Sequence, residues 1–154
     1  MDREVIEQKL ESLRRCLQRV ADKCPLASET LARDPDLQDI IALNLTRAVQ
    51  LCVDIGAHLI AGMEVPPPDT MGQTFDTLAR AGVIHEGLAM QLKKAVGFRN
   101  IAVHNYEEID WAIVHAIAIH HLSDFTEFAK VMAGRMEECR FSEVELRWVL
   151  QKIF

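Results

Sequence analysis

Apolar residues recur along most of this chain at the spacing of a helix. Ile6, Leu10, Leu13, Leu17 and Val20 follow one another by fours and threes, which lays them along one stripe of an amphipathic helix of roughly five turns. A break containing Pro25 follows. Asp34-Pro35 then reads as an N-cap with proline at the first helical position, where a missing amide costs nothing. From there Leu37, Ile41, Leu45, Ala48, Cys52, Ile55 and Leu59 step the same way, so a long central helix is predicted to end near Gly62.

Pro66-Pro67-Pro68 cannot continue a helix and predicts an extended connector at which the chain turns back. Thr70 and Gln73 resemble a capping box and open a short helix through Phe75, Leu78 and Ala79 that Gly82 stops. His85 to about Phe98 reads as a fourth segment, with Leu88, Leu92, Ala95 and Val96 inward. A fifth is predicted to start at Glu107 and Glu108, acids suited to a helix N-terminus, and to run to about Val131. Ser142 to Ile153, opening with Ser142 and Glu145, forms the last. No stretch alternates with period two for long, so the fold class is all-α: an antiparallel four-helix bundle with one or two additional helices. The expected organisation is a single domain over 1–154, with the bundle over about 1–131 and a C-terminal extension over about 137–154.

Composition narrows the class. Length 154, 49% hydrophobic and 26% charged residues describe an ordinary globular domain with enough chain for a core. No continuous apolar run nears the ~20 residues of a membrane span, and the N-terminus mixes acids with bases, so no secretory signal and a cytoplasmic address are expected. Cys16, Cys24, Cys52 and Cys139 lie too far apart for a zinc cage or a disulfide framework and read as reduced, mostly core residues. A net charge of -6 tells against bulk adhesion to nucleic acid, though a local basic site stays possible.

The exception to the aliphatic pattern is GFRNIAVHNY, residues 97–106. It falls at the junction of the fourth and fifth helices. Seven helical residues return to one face within ~20°, so Arg99 and Tyr106 would align, while His104 would need a loosened turn to join them. Together the three suit a phosphodiester. A guanidinium holds non-bridging oxygens; an imidazole can take a proton from a ribose 2′-OH or give one to the leaving oxygen; a phenol orients phosphate or stacks on a base. Asn100 could orient either partner. A structural reading also fits: Arg99 capping a helix, His104 at an interface and Tyr106 in the core with its hydroxyl in solvent.

The R-x4-H-x-Y pattern of Arg99, His104 and Tyr106, with polar Asn100, resembles the HEPN superfamily and its HepT branch. That branch is the toxin half of pairs with a minimal nucleotidyltransferase (MntA). LNLTRAVQLCVDIGAHLI, the prolyl connector and TFDTLARAGVI agree with it, and the resemblance covers about residues 1–130. It implies a homodimeric bundle whose paired motifs cleave RNA without a metal or other cofactor and leave a cyclic phosphate. It further implies that Arg99 stabilises the phosphate, that His104 is general acid or base, and that Tyr106 is adenylylated by the partner. A non-catalytic helical module that docks a nucleotidyltransferase is the alternative.

Other residues draw weaker expectations. Asp54, seven from Arg47, could share a helix face toward the cleft as a supporting residue, or be a solvated pair. Lys93 and Lys94 are candidates for RNA-backbone contacts. His115, His120 and His121 lack the i, i+4 spacing of a metal pair and fit buried or interface roles. His58 suits the C-terminal dipole of the central helix, and the tail CRFSEVELRWVLQKIF, with Trp148 and Phe154, could cover the bundle, extend a dimer contact or bind the antitoxin.

Overall fold

The computed structural model describes residues 2–136, so the predicted helix over 142–153, Cys139 and the C-terminal extension lie outside the described residues. The order is α1 (Arg3–Lys23), α2 (Ser28–Arg33), α3 (Pro35–Ala61), α4 (Met71–Arg80), α5 (Glu86–His104), a 3-10 turn (Tyr106–Glu108) and α6 (Trp111–His120). A last described helix, α7, covers 122–136. No strand occurs among the described residues, and the all-α class stands.

Local chemistry sets most boundaries. Asp34 accepts hydrogen bonds from the amides of Asp36 and Leu37, with Pro35 at the first helical position, as the sequence predicts. Thr70 Oγ1 accepts from Gln73 N at 3.2 Å, while the Gln73 side chain reaches past the cap to the Asp69 amide at 2.9 Å. At the end of α4, Gly82 takes a φ of 75° and lets Val83 N return to Leu78 O at 2.9 Å, a left-handed stop that suits glycine. His85 caps α5 through Nδ1, which accepts from Leu88 N at 3.1 Å, so its Nε2–H faces Glu127 Oε1 at 2.8 Å on α7.

Four features differ from expectation. The Pro25 break holds a short helix, α2, whose Leu31 is fully buried. The fourth helix does not loosen at Gly97 but runs on to His104, because one glycine costs only ~1 kcal/mol in a helix anchored by Leu88, Leu92 and Val96. Asn105, at φ -140° and ψ 54°, is what stops it. Glu107 and Glu108 therefore sit in the 3-10 turn, and Asp110 caps the next helix by accepting from Ala112 N at 3.0 Å. That helix in turn breaks at His121 rather than continuing to Val131.

α1 and α3 run antiparallel, as the Lys9–Asp54 ion pair and the approach of Arg47 to Cys16 at successive levels require. α3 is the axis of the core, burying Ile41, Leu45, Ala48, Cys52 and Ile55. By length and composition it could cross a membrane, contrary to the expectation from apolar runs, but 56% of that window is buried inside the bundle, as in a core helix. Cys16 and Cys52 are free and buried, and burial pushes both thiols up, away from reactivity. α4 crosses α3 at Gly56, and its Phe75 meets Phe128 of α7 edge-on, with ring centroids 5.9 Å apart. This packing fixes α5, and with it the motif.

Candidate functional site

Arg99 and His104 both belong to the last turn and a half of α5, so their relation is that of a rigid helix. Five residues at ~100° each place His104 about 140° round the axis from Arg99 and about 7.5 Å further along it. The arc between them carries Val103, 49% exposed, and the exposed Asn100. The two therefore border one broad open face. The turn is not loosened, so His104 stays off the Arg99 line.

Tyr106 is held by other contacts. It lies beyond the stop at Asn105, in the 3-10 turn, so the seven-residue helical alignment with Arg99 does not hold. Its ring packs edge-on against Trp111 at 5.8 Å and its hydroxyl donates to Asp39 Oδ1 at 2.5 Å. Asp39 stands in the second turn of α3, 67 residues away in sequence. Burial of the phenol, then the hydrogen bond and charge of Asp39, push the tyrosine above its ordinary range. Tyr106 is thus a neutral donor at physiological pH, and the expectation of a hydroxyl in solvent is corrected.

Arg99 is half-buried. Its Nη1 donates to Oδ1 of the adjacent Asn100 at 3.2 Å. Its Nε is buried without an acceptor among the described residues. A buried N–H left unpaired costs about 1–3 kcal/mol, so the guanidinium is held by packing rather than saturated by protein partners. His104 is exposed and has no hydrogen-bond or ion-pair partner among the described residues.

The larger cavities do not contain the three motif side chains. One groove of about 590 Å³ lies behind them, between α5, the 3-10 turn, α6 and the start of α7, and is lined by Ala95, Phe98, Ile101, Ile113 and Phe125 with Lys94 on its rim. The motif face is an open surface in a single chain. A closed cleft would need a second surface opposite.

The other candidates separate clearly. Asp54 accepts from Gln50 Nε2 at 2.9 Å and pairs with Lys9 Nζ at 3.5 Å, so it serves the α1–α3 seam; no Arg47–Asp54 ion pair occurs among the described residues. Lys93 pairs with Asp76 of α4 at 3.0 Å. His115 Nε2 lies 2.8 Å from Pro25 O, tying α6 to the connector before α2, and His121 pairs with Asp124 at 3.3 Å. His58 sits in the last turn of α3, as the dipole argument expects. Asp39 was not singled out from sequence. Beside Asp36 it reads as one more acid at a helix N-terminus, and nothing local connects it to residue 106.

The family model described as "Ribonuclease HepT-like" matches residues 6–132. The chain is 36% identical over 129 residues to the mRNA nuclease HepT of Shewanella oneidensis, covering 84% of this chain and 96% of the relative. It is 34% identical, with a TM-score of 0.80, to the tri-AMPylated Shewanella oneidensis HEPN toxin in complex with its MNT antitoxin, covering 87% of this chain and 99% of that one. A toxin-antitoxin structure with AMP-PNP is equally similar, at 34% identity and a TM-score of 0.80 over 85% of this chain and 98% of that one. By motif, fold and extent of match, the chain belongs to the ribonuclease HepT-like family.

Proposed function

We propose that this protein is the ribonuclease toxin of a toxin-antitoxin pair, acting on RNA as a homodimer in the cytoplasm. In the same reading a partner nucleotidyltransferase silences it by adenylylating Tyr106. The observation that carries the reading is the exposed face bordered by Arg99 and His104 at the end of a rigid helix. The relatives add that a similar HEPN toxin is AMPylated and bound to an MNT antitoxin.

The chemistry follows from those side chains. Attack of a ribose 2′-OH on the adjacent phosphorus forms a cyclic phosphate and expels the 5′ oxygen, and it needs no metal if charge and protons are handled by protein. Arg99 stabilises the charge that grows on the non-bridging oxygens. A neutral imidazole accepts the 2′-OH proton, and an imidazolium protonates the leaving oxygen. One chain offers one motif imidazole for two proton transfers. A second copy placed opposite supplies the other and closes the open face, which is why the homodimer belongs to the mechanism. Adenylylation of Tyr106 would place bulk and a phosphodiester charge at that cleft and repel an RNA phosphate. Lys93 falls on the motif side of α5 but pairs with Asp76, and Lys94 lines the groove behind the motif, so neither adds a free cation to that face.

The test is cleavage of single-stranded RNA by the purified protein in the presence of a chelator. His104→Ala should slow cleavage by about 10²–10⁴-fold and Arg99→Ala by about 10²–10³-fold, with the helical content of both unchanged. Cleavage by both variants at the wild-type rate would retire the assignment. Growth arrest on expression without the partner, abolished by His104→Ala, separates a nuclease from a non-catalytic docking module.

A further inference from the structure

The hydrogen bond between Tyr106 and Asp39 gives α3 a role that the motif does not describe. We propose that Asp39 orients Tyr106 for adenylylation and accepts its phenolic proton as the adenylyl group is transferred, an inference that rests on the reading of Tyr106 as the acceptor.

A phenol that is to attack phosphorus must shed its proton. Tyr106 is held by two contacts, the edge of Trp111 at 5.8 Å and Asp39 Oδ1 at 2.5 Å, which leave the hydroxyl oxygen at a fixed place with its O–H aimed at a carboxylate. The Tyr106 hydroxyl is the hydrogen-bond partner of Asp39 among the described residues, and no cation there neutralises the carboxylate. A carboxylate without a counter-ion, already in hydrogen-bond reach of the reacting oxygen, meets the geometric requirement for a general base. Because the resting phenol keeps its proton to higher pH than an ordinary tyrosine, spontaneous phenolate is scarce and an acceptor matters more.

The step balances without further reagents beyond the nucleoside triphosphate that a nucleotidyltransferase presents. Tyr106 Oη attacks the α-phosphorus; the Oη–Pα bond forms as the bond from Pα to the bridging oxygen breaks. Pyrophosphate leaves with that electron pair, and the phenolic proton passes to Asp39 and then to solvent. The product has no O–H left to donate. Its new phosphodiester charge faces the carboxylate that once held the ring, so the modified side chain is repelled from α3. Asp39 thus ties the covalent change to a change of side-chain position.

The experiment is a time course of intact mass for the full-length protein with its nucleotidyltransferase partner and ATP, for wild type, Asp39→Asn and Asp39→Glu, across the neutral pH range. Asparagine can still accept the Tyr106 hydrogen bond but takes no proton, so folding is kept; a melt by circular dichroism verifies it. The first adenylyl addition should slow by about a hundredfold in Asp39→Asn. Its rate should also climb with pH, because the phenol must then ionise unaided, whereas the wild-type rate stays nearly level. Asp39→Glu, which restores a proton acceptor, should recover part of the rate. Addition to Asp39→Asn at the wild-type rate, or a slowed rate that keeps the wild-type pH profile, overturns the proton-accepting role. Failure of the wild-type protein itself to gain mass sinks the acceptor reading of Tyr106 and this proposal with it.

Discussion

The crossing of α4 over α3 and the end of α5 are built on opposite terms. At the crossing, Gly56 lets the helices approach until an added Cβ would stand 2.8 Å from Thr74 Cγ2 and 3.0 Å from Leu78 Cδ1. Thr74 is 2% exposed and Leu78 is fully buried there. At the end of α5, Val103 stands exposed, Arg99 Nε is buried without an acceptor, and His104 faces solvent unpaired among the described residues. Close-packed interiors tolerate neither voids nor extra atoms, whereas a surface that is to grip a ligand leaves its donors unspent until the ligand comes. Stability and chemistry are thereby assigned to different parts of the bundle.

The comparison breaks most visibly at Phe128. Its ring is fully buried and meets Phe75 edge-on, joining α7 to α4. Phe128→Ala removes a large core side chain and should cost about 3–5 kcal/mol, read as a fall in the denaturant midpoint. His104→Ala, an exposed position, should stay within about 0.5 kcal/mol of wild type in the same titration while cleavage collapses. If His104→Ala lost as much stability as Phe128→Ala, the histidine would be part of the framework and the division between the two regions would fail.

Gly56→Ala sharpens the same point at a single methyl group. Alanine improves helix propensity by ~1 kcal/mol, and in an open helix it would stabilise. Here the methyl meets two side chains that have nowhere to go, and overpacking costs about 1–3 kcal/mol. We expect a net loss and a melting temperature lower by a few degrees. Gly97→Ala, where an added Cβ meets nothing within 4 Å, should do the reverse. Equal responses at the two glycines would show that the close approach at Gly56 is not what sets its identity.

How much of this was legible beforehand depends on the distance over which each feature is encoded. The caps at Asp34 and Thr70 and the stop at Gly82 are written within four residues of where they act, and the stripes of α1 and α3 within a few turns. The helix at Ser28–Arg33 is too short to show a period, and its Leu31 finds burial only once α3 and α6 are in place. The end of α5 lies beyond the predicted Phe98 because Leu88, Leu92 and Val96 anchor the helix through Gly97, and the conformation of Asn105 leaves no local mark. At the site, Arg99, His104 and Tyr106 were visible as unusual chemistry in an aliphatic chain. That the helix stays unbroken through His104, and that a carboxylate from α3 holds the phenol, are tertiary facts. Asp39 could have been found only by asking which polar group the sole tyrosine's hydroxyl would reach.

That tyrosine offers the smallest but cleanest test. Tyr106 is the one tyrosine in the chain, so its phenolate absorbance is unmixed. Burial and Asp39 raise its pKa, and absorbance should therefore appear only above the ordinary tyrosine value of about 10. The sign for stability follows. A phenol whose folded pKa lies above its unfolded one contributes fully below about pH 10, and that contribution fades as pH rises through the folded value. With Tyr106 39% exposed, the effect on unfolding is small. Asp39→Ala should move the phenolate transition back down toward the unfolded value and flatten the alkaline fall in stability. A transition at the same pH in both proteins would mean that the carboxylate does not feel the phenol in solution, and the link from α3 to the motif would be lost.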